Sequence, residues 1–300
     1  MTAIEVVNVS KRYGSFEAVR DLSFSVNTGE IFGLLGPNGA GKTTTIRMLM
    51  DIIKPDAGHI RVLGEPPSAA TKNRIGYLPE ERGLYKGLSV MDTLIYLAAL
   101  KGLSRHETEE RAEVMLRRLE LWDSRNEKVS TLSKGMQQKL QFVVTVLHDP
   151  ELIVLDEPFQ GLDPINTELI QEMIAALPVQ GKTVILSTHM MNQVERMCDR
   201  ILLIDHGCSV LYGALDEIKA RFADNAVILR AVGVLDGLAG VKHVVDHGRY
   251  HELFLEDGMT PQRLLEQLVR AGVEVREFEV ATPALNDIFI EVVGNRSERR

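Results

Sequence analysis

Apolar residues along this chain recur in two rhythms. Short continuous runs at 4–9, 22–26 and 31–35 read as strands separated by turns. The run Ile31–Leu35 is apolar throughout and ends in Gly36, the pattern of a strand covered on both faces. The rhythm then lengthens. Ile46, Leu49, Met50 and Ile53 fall at i, i+3, i+4 and i+7, which predicts a helix over Thr43–Ile53 that Pro55 stops.

The stretch 88–148 reads as a helical insertion. Ser89 with Asp92 and Ser104 with Glu107 both have capping-box spacing, and Leu140, Val143, Val144 and Leu147 mark another helical face. Strands return at Leu152–Leu155, Val184–Ser187 and Ile201–Asp205, with helices between them. That alternation predicts a mostly parallel, covered α/β sheet.

The pattern changes after about Lys219. Strand-like runs at 226–232 and 244–255 precede a helix over Pro261–Ala271, with Leu264, Leu265 and Leu268 on one face. A strand is expected over 273–280. Thr282–Pro283 has N-cap and N1 chemistry for a last helix or turn through Ile290. The expected division is 1–219 and a small α+β domain over 220–300, whose final Asn-Arg-Ser-Glu-Arg-Arg reads as a solvated basic tail.

The chain's 300 residues, 45% hydrophobic and 25% charged, can bury a sizeable core, which excludes extended disorder and fibrous repeats. The net charge of -8 disfavours coating of duplex nucleic acid, which depends on phosphate neutralisation. The two cysteines, Cys198 and Cys208, make neither a disulfide framework nor a zinc knuckle. No apolar run approaches the roughly 18–20 residues of a membrane span, and the N-terminus lacks a signal-peptide hydrophobic region. The expectation is a cytoplasmic protein held at a membrane only by something else.

Gly36-Pro37-Asn38-Gly39-Ala40-Gly41-Lys42-Thr43 fits G-x-x-x-x-G-K-[ST], followed by Thr44. It stands between an apolar strand and a periodic helix, the context a phosphate-binding loop requires. Small residues allow successive amides to point inward as an anion nest, and the helix N-terminus adds partial positive charge. Lys42 can reach the β- and γ-phosphates, and Thr43 can ligate Mg²⁺. Leu152–Leu155 ends in Asp156-Glu157. Asp156 is then expected to hold the metal, and Glu157 to polarise an attacking water as general base. His189, at a third strand end, is suited to donate to a γ-phosphate oxygen.

Between these motifs lies Leu132-Ser133-Lys134-Gly135-Met136-Gln137-Gln138, which resembles the L-S-G-G-Q signature of ATP-binding cassette (ABC) ATPases. Tyr13 matches the aromatic that stacks on adenine. Gly76-Tyr77-Leu78-Pro79-Glu80 matches the loop that usually ends in Gln, Gly161-Leu162-Asp163 the D-loop, and Ser187-Thr188-His189 the switch histidine. The resemblance covers about residues 1–215. It implies a P-loop NTPase with a RecA-like core, an N-terminal antiparallel β subdomain and a helical subdomain near 88–145. The C-terminal part, ending Pro283-Ala284-Leu285-Asn286-Asp287-Ile288-Phe289-Ile290-Glu291, resembles the appended domain of a prokaryotic exporter subgroup that includes sodium-export types.

The resemblance further implies ATP and Mg²⁺ as cofactors and a head-to-tail dimer in which each ATP lies between one copy's loop and the other's Ser133 and Gly135. Separate transmembrane permease subunits would hold the chain at the inner face of the membrane. A groove near 80–100, with Leu84, Tyr85 and Leu88, would receive a coupling helix. Three departures stand out. In the signature Met136 replaces Gln and Lys134 replaces Gly, and Lys134 either assists at the phosphate or points to solvent. Glu80 replaces Gln, and either joins Thr43 and Asp156 at the metal or turns away. Beside an export ATPase, a soluble ABC ATPase acting on a cytosolic assembly and a nucleotide-gated module without turnover are the other readings.

Overall fold

The computed structural model describes residues 1–297 apart from 82 and 233–237. The charges of the basic tail over 295–300 lie outside the described residues. The chain divides into two compact units, Met1–Leu215 and Asp216–Arg300, four residues ahead of the division expected from composition.

The first unit opens with β1 (Thr2–Tyr13), β2 (Phe16–Asn27), β3 (Ile31–Leu35), α1 (Lys42–Leu49), β4 (Ala57–Val62), α2 (Ala69–Asn73) and β5 (Ile75–Leu78). The helices α3 (Val90–Ala99), α4 (Arg105–Arg118) and α5 (Lys134–Val146) follow. The rest is β6 (Leu152–Asp156), α6 (Pro164–Ala175), β7 (Thr183–Thr188), α7 (Met191–Met197), β8 (Arg200–Asp205) and β9 (Cys208–Ala214). The helix α8 (Leu215–Phe222) then crosses the division.

Two sheets build this unit. β2-β1-β4 is antiparallel, and the second sheet has the order β5-β6-β7-β3-β8-β9, parallel except for its last strand. Every residue of β3, β6 and β7 is buried, which explains their unbroken apolar runs: no face of these strands meets water. The two sheets share one core. Phe24 of β2 stacks on Phe32 of β3 with centroids 5.7 Å apart, and Ile4, Leu22, Ile46, Leu49 and Leu202 join the same cluster. Each fully buried aliphatic side chain in it contributes about 1.5–3 kcal/mol.

Helix boundaries follow their caps. Ser104 and Glu107 form a complete capping box at α4. At α3 only half of the expected box forms: the Ser89 side chain accepts from the Asp92 amide. α1 stops at Leu49, short of Ile53, because Asp51 adopts a left-handed turn with φ 52°.

The second unit contains β10 (Ala226–Val232), β11 (Val241–Asp246), β12 (His251–Leu255), α9 (Pro261–Arg270), β13 (Glu274–Val280) and α10 (Leu285–Ser297). Its four strands form an antiparallel sheet in the order β11-β12-β10-β13, with Val227, Leu229, Leu253, Leu255, Leu264 and Leu268 as a separate core. Three expectations are corrected here. The run 244–255 is not one strand: β11 and β12 pair as a hairpin through Asp246↔His251. Leu265 is half-buried, because the i, i+4 pair Leu264 and Leu268 takes the core-facing line of α9. The last helix starts at Leu285, two residues beyond Pro283, so Thr282 is not its cap.

Candidate functional site

Register brings three strand ends together. β7 lies between β6 and β3, with Leu35 opposite Thr188 and Asp156 opposite Ser187. The carboxyl ends of a parallel sheet are where such folds bind ligands, because each chain leaves the sheet there into a loop.

The loop after β3 needs glycine at two places. Gly36 has φ 147°, and a Cβ there would drive into the Ile204 carbonyl oxygen. Gly41 has φ 112°, and a Cβ would lie 2.6 Å from the Ala18 carbonyl oxygen. Gly41 is also the N-cap of α1, so the first amides of that helix, at Lys42, Thr43 and Thr44, have no carbonyl one turn back. The β8–β9 turn braces the loop from outside: the Gly207 amide donates to the Ala40 carbonyl at 2.9 Å, and the Gly207 carbonyl accepts from the Arg20 amide at 2.8 Å.

A cavity of about 400 Å³ opens over this loop. Its lining includes Pro37 through Thr44, Tyr13, Glu80, Asp156 and Glu157, so most of the residues singled out in the sequence converge on it. Phe16 and Ala18 also line it and were not anticipated. Phe16 pairs with Tyr13 across the β1–β2 turn and is 60% exposed, so a second aromatic three residues after Tyr13 is the signal that points to it.

Lys42 is buried, and its Nζ donates to the Gly36 carbonyl at 2.6 Å and the Pro37 carbonyl at 3.2 Å. Burial lowers its pKa, against the attraction of Glu157, Asp156 and Glu80. Asp156 is 1% exposed; it accepts from Ser187 Oγ at 2.7 Å and from Thr43 Oγ1 at 3.4 Å. Burial raises its pKa, and the neighbouring Glu80 and Glu157 add to the rise while the Ser187 hydrogen bond and Lys42 oppose it. A cation beside Asp156 would relieve that strain.

Among the described residues no cluster of three or more His, Cys, Asp or Glu is arranged to hold a metal. The donors present are the Thr43 hydroxyl and carboxylate oxygens. Such a sparse, hard oxygen set fits Mg²⁺, which draws the rest of its shell from phosphates and water.

Glu157 follows β6 in a left-handed conformation, φ 50°, rare for a residue with a Cβ and usually found where neighbouring contacts over-determine it. Those contacts are present. Its amide donates to the Ser187 carbonyl at 2.9 Å. Its Oε2 accepts from Thr188 Oγ1 at 3.1 Å, and its Oε1 accepts from the His189 amide at 3.1 Å. His189 Nδ1 lies 2.7 Å from the same Oε1. His189 does not line the cavity. With Nδ1 donating to Glu157, Nε2 can donate to a phosphate oxygen only in the doubly protonated ring.

Ser133 and Gly135 stand apart from the cavity. Ser133 caps α5, its Oγ accepting from the Met136 amide at 3.2 Å. A Cβ at Gly135 would lie 3.6 Å from the Gly161 carbonyl, so the signature and the D-loop are neighbours. Lys134 is exposed. Near the expected docking groove, Tyr85 is exposed and packs edge-on to Tyr96 with centroids 5.4 Å apart, while Leu84 and Leu88 are half-buried. A neighbouring cavity of about 300 Å³ is lined instead by Met50, Ile52, Leu97, Leu100 and others.

Comparison with known proteins agrees with this geometry. Residues 19–160 match the family model described as ABC transporter, and residues 213–293 match that of the ATP-binding protein DrrA1-3-like, C-terminal domain. An uncharacterised ABC transporter ATP-binding protein, YhaQ of Bacillus subtilis, is 41% identical over 97% of this chain and 98% of its own length. Nod factor export ATP-binding protein I of Bradyrhizobium diazoefficiens is 36% identical over 99% and 98%, and the linearmycin resistance ATP-binding protein LnrL of Bacillus subtilis is 32% identical over 97% and 98%. A solved structure of an ATP-binding subunit of an ABC transporter superposes with a TM-score of 0.69 at 33% identity, over 73% of this chain and 93% of that one.

Proposed function

Because the chain belongs to the family of ABC transporter ATP-binding proteins, we propose that it binds and hydrolyses ATP to drive export through separate membrane subunits. The observation that carries this reading is the convergence of the β3 and β6 ends on one cavity: a phosphate-type loop, a buried aspartate and a glutamate held by the end of β7 meet there.

The roles follow from the geometry. The amides of Gly39 through Thr44 cradle the β- and γ-phosphates. Lys42 exchanges the carbonyls of Gly36 and Pro37 for phosphate oxygens, a stronger, charge-assisted pairing. Tyr13 stacks on the base. Thr43 and Asp156, already within reach of each other, would hold Mg²⁺, and the ion would neutralise charge on the triphosphate oxygens. Glu157 takes the proton of the attacking water, held in position by Thr188 and His189.

Ser133 and Gly135 stand outside the cavity of their own chain, which supports a head-to-tail dimer in which each copy completes the other's site. No helix among the described residues is long and apolar enough to cross a membrane, so the transport path belongs to partner permeases, docked near Tyr85 and the α1–α3 groove. Relatives named for Nod factor export and for linearmycin resistance support export over a soluble role.

Two measurements test the reading. Purified chain should release phosphate from ATP, and it should co-purify with an integral membrane protein. No phosphate release with Mg²⁺ present would refute the ATPase, and only soluble partners would refute the transport role.

A further inference from the structure

One carboxylate borders two cavities. Glu80, two residues beyond β5, lines the nucleotide cavity and also a neighbouring cavity of about 450 Å³ whose wall includes Lys134, Gln160 and Gly161. Glu80 and Lys134 are both exposed, and among the described residues neither enters an ion pair or hydrogen bond.

Both charges are badly placed where they stand. Lys134 is the first residue of α5, where the helix dipole opposes a cation, and no acidic residue occupies that first turn. Glu80 is the third carboxylate, with Asp156 and Glu157, around a single lysine, Lys42. Asp156 is fixed by Ser187 and Thr43, and Glu157 by Thr188 and His189. Glu80 alone among the three has no such tether. A triphosphate entering the cavity adds negative charge beside all three, and only Glu80 is free to leave.

We infer that nucleotide entry turns Glu80 out of its cavity toward Lys134, across the shared wall. Lys134 is then a positioning residue: it governs ATP affinity through Glu80 without touching the nucleotide of its own chain. The same movement ties the core to the first turn of α5, so Glu80 and Lys134, two of the departures from the family pattern, act as one compensated pair. This rests on the reading that the cavity takes a triphosphate.

The test is a double-mutant cycle on the purified full-length chain, reading equilibrium ATP binding in Mg²⁺. Lys134→Gln is expected to weaken binding about threefold to fivefold, the range of a partly exposed ion pair, because Glu80 then stays beside the triphosphate. In the Glu80→Gln background the same substitution should leave affinity unchanged, and Lys134→Arg should match wild type. Equal weakening in both backgrounds would mean that Lys134 contacts nucleotide directly, and would overturn the inference; so would no change in either. A wild-type chain that takes up no ATP would sink the nucleotide reading itself, which separates the two failures. Both side chains are exposed, so the variants should retain the fold, as circular dichroism can verify.

Discussion

Glu157 and His189 are bonded to each other: Nδ1 of the histidine lies 2.7 Å from Oε1 of the glutamate, and the His189 amide donates to the same oxygen. The two residues, expected separately as base and phosphate donor, form one hydrogen-bonded unit, and in the proposed mechanism the histidine aims the base. Glu157→Gln should therefore keep ATP affinity near wild type while turnover falls about 10²–10⁴-fold, and ATP should trap a dimer. Phosphate release and light scattering check both.

His189→Ala should lower turnover by less than Glu157→Gln, since Thr188 Oγ1 still holds Oε2 and the His189 backbone amide remains. The expected loss is about tenfold to a hundredfold, the cost of one hydrogen bond to a charged group. Single-turnover kinetics at saturating ATP measure it.

Lys42→Ala should weaken ATP binding by about tenfold or more, because a charge-assisted contact to phosphate is lost. Its effect on the fold should be small or favourable: burial already lowers the Lys42 pKa, so the charged form is costly without ligand. Nucleotide titration and a thermal melt without nucleotide separate the two effects.

Asp156 carries a raised pKa in the folded chain, mainly from burial. A carboxyl of that kind favours folding below the ordinary carboxylate range, and the benefit is lost as pH rises through its folded value. Asp156→Asn should therefore gain stability relative to wild type as pH rises from about 4 to 7, by about 2–4 °C in Tm per kcal/mol for a chain of this size. Melts across that range, without Mg²⁺, test the sign. The same variant should lose Mg²⁺-dependent turnover.

Gly41→Ala should destabilise the loop by about 1–3 kcal/mol and abolish ATP binding, because φ 112° and the Ala18 carbonyl leave no place for a methyl group. Gly39→Ala, with φ 80° but nothing within 4 Å, should be milder. Comparing the two by calorimetry with ATP distinguishes backbone strain from collision.

The parts of the molecule visible in its sequence are those where one demand overrides all others. β3, β6 and β7 are buried on every side, so their runs are apolar without interruption, and the loop and acids at their ends carry chemistry that few residue types can supply. β9 escaped notice for the opposite reason. Its seven residues are all half-buried, and it lies antiparallel at the sheet edge, so neither a continuous nor an alternating pattern marks it. β4 is exposed at four of six positions and depends on pairing with β1. At the site, Thr188 and Ser187 act on the two acids by strand register, which links positions 31 residues apart. No local spacing reveals such a link.

The brace at Gly207 sets the smallest piece of chain that can work. The residues proposed to handle nucleotide all lie at or before His189, and a fragment cut there would look sufficient on paper. It would lack β8, the parallel neighbour of β3, and the amide that pins the Ala40 carbonyl. Attempts to shorten the first unit should therefore keep the chain at least through Ala214, since its last hairpin is scaffolding for its opening loop.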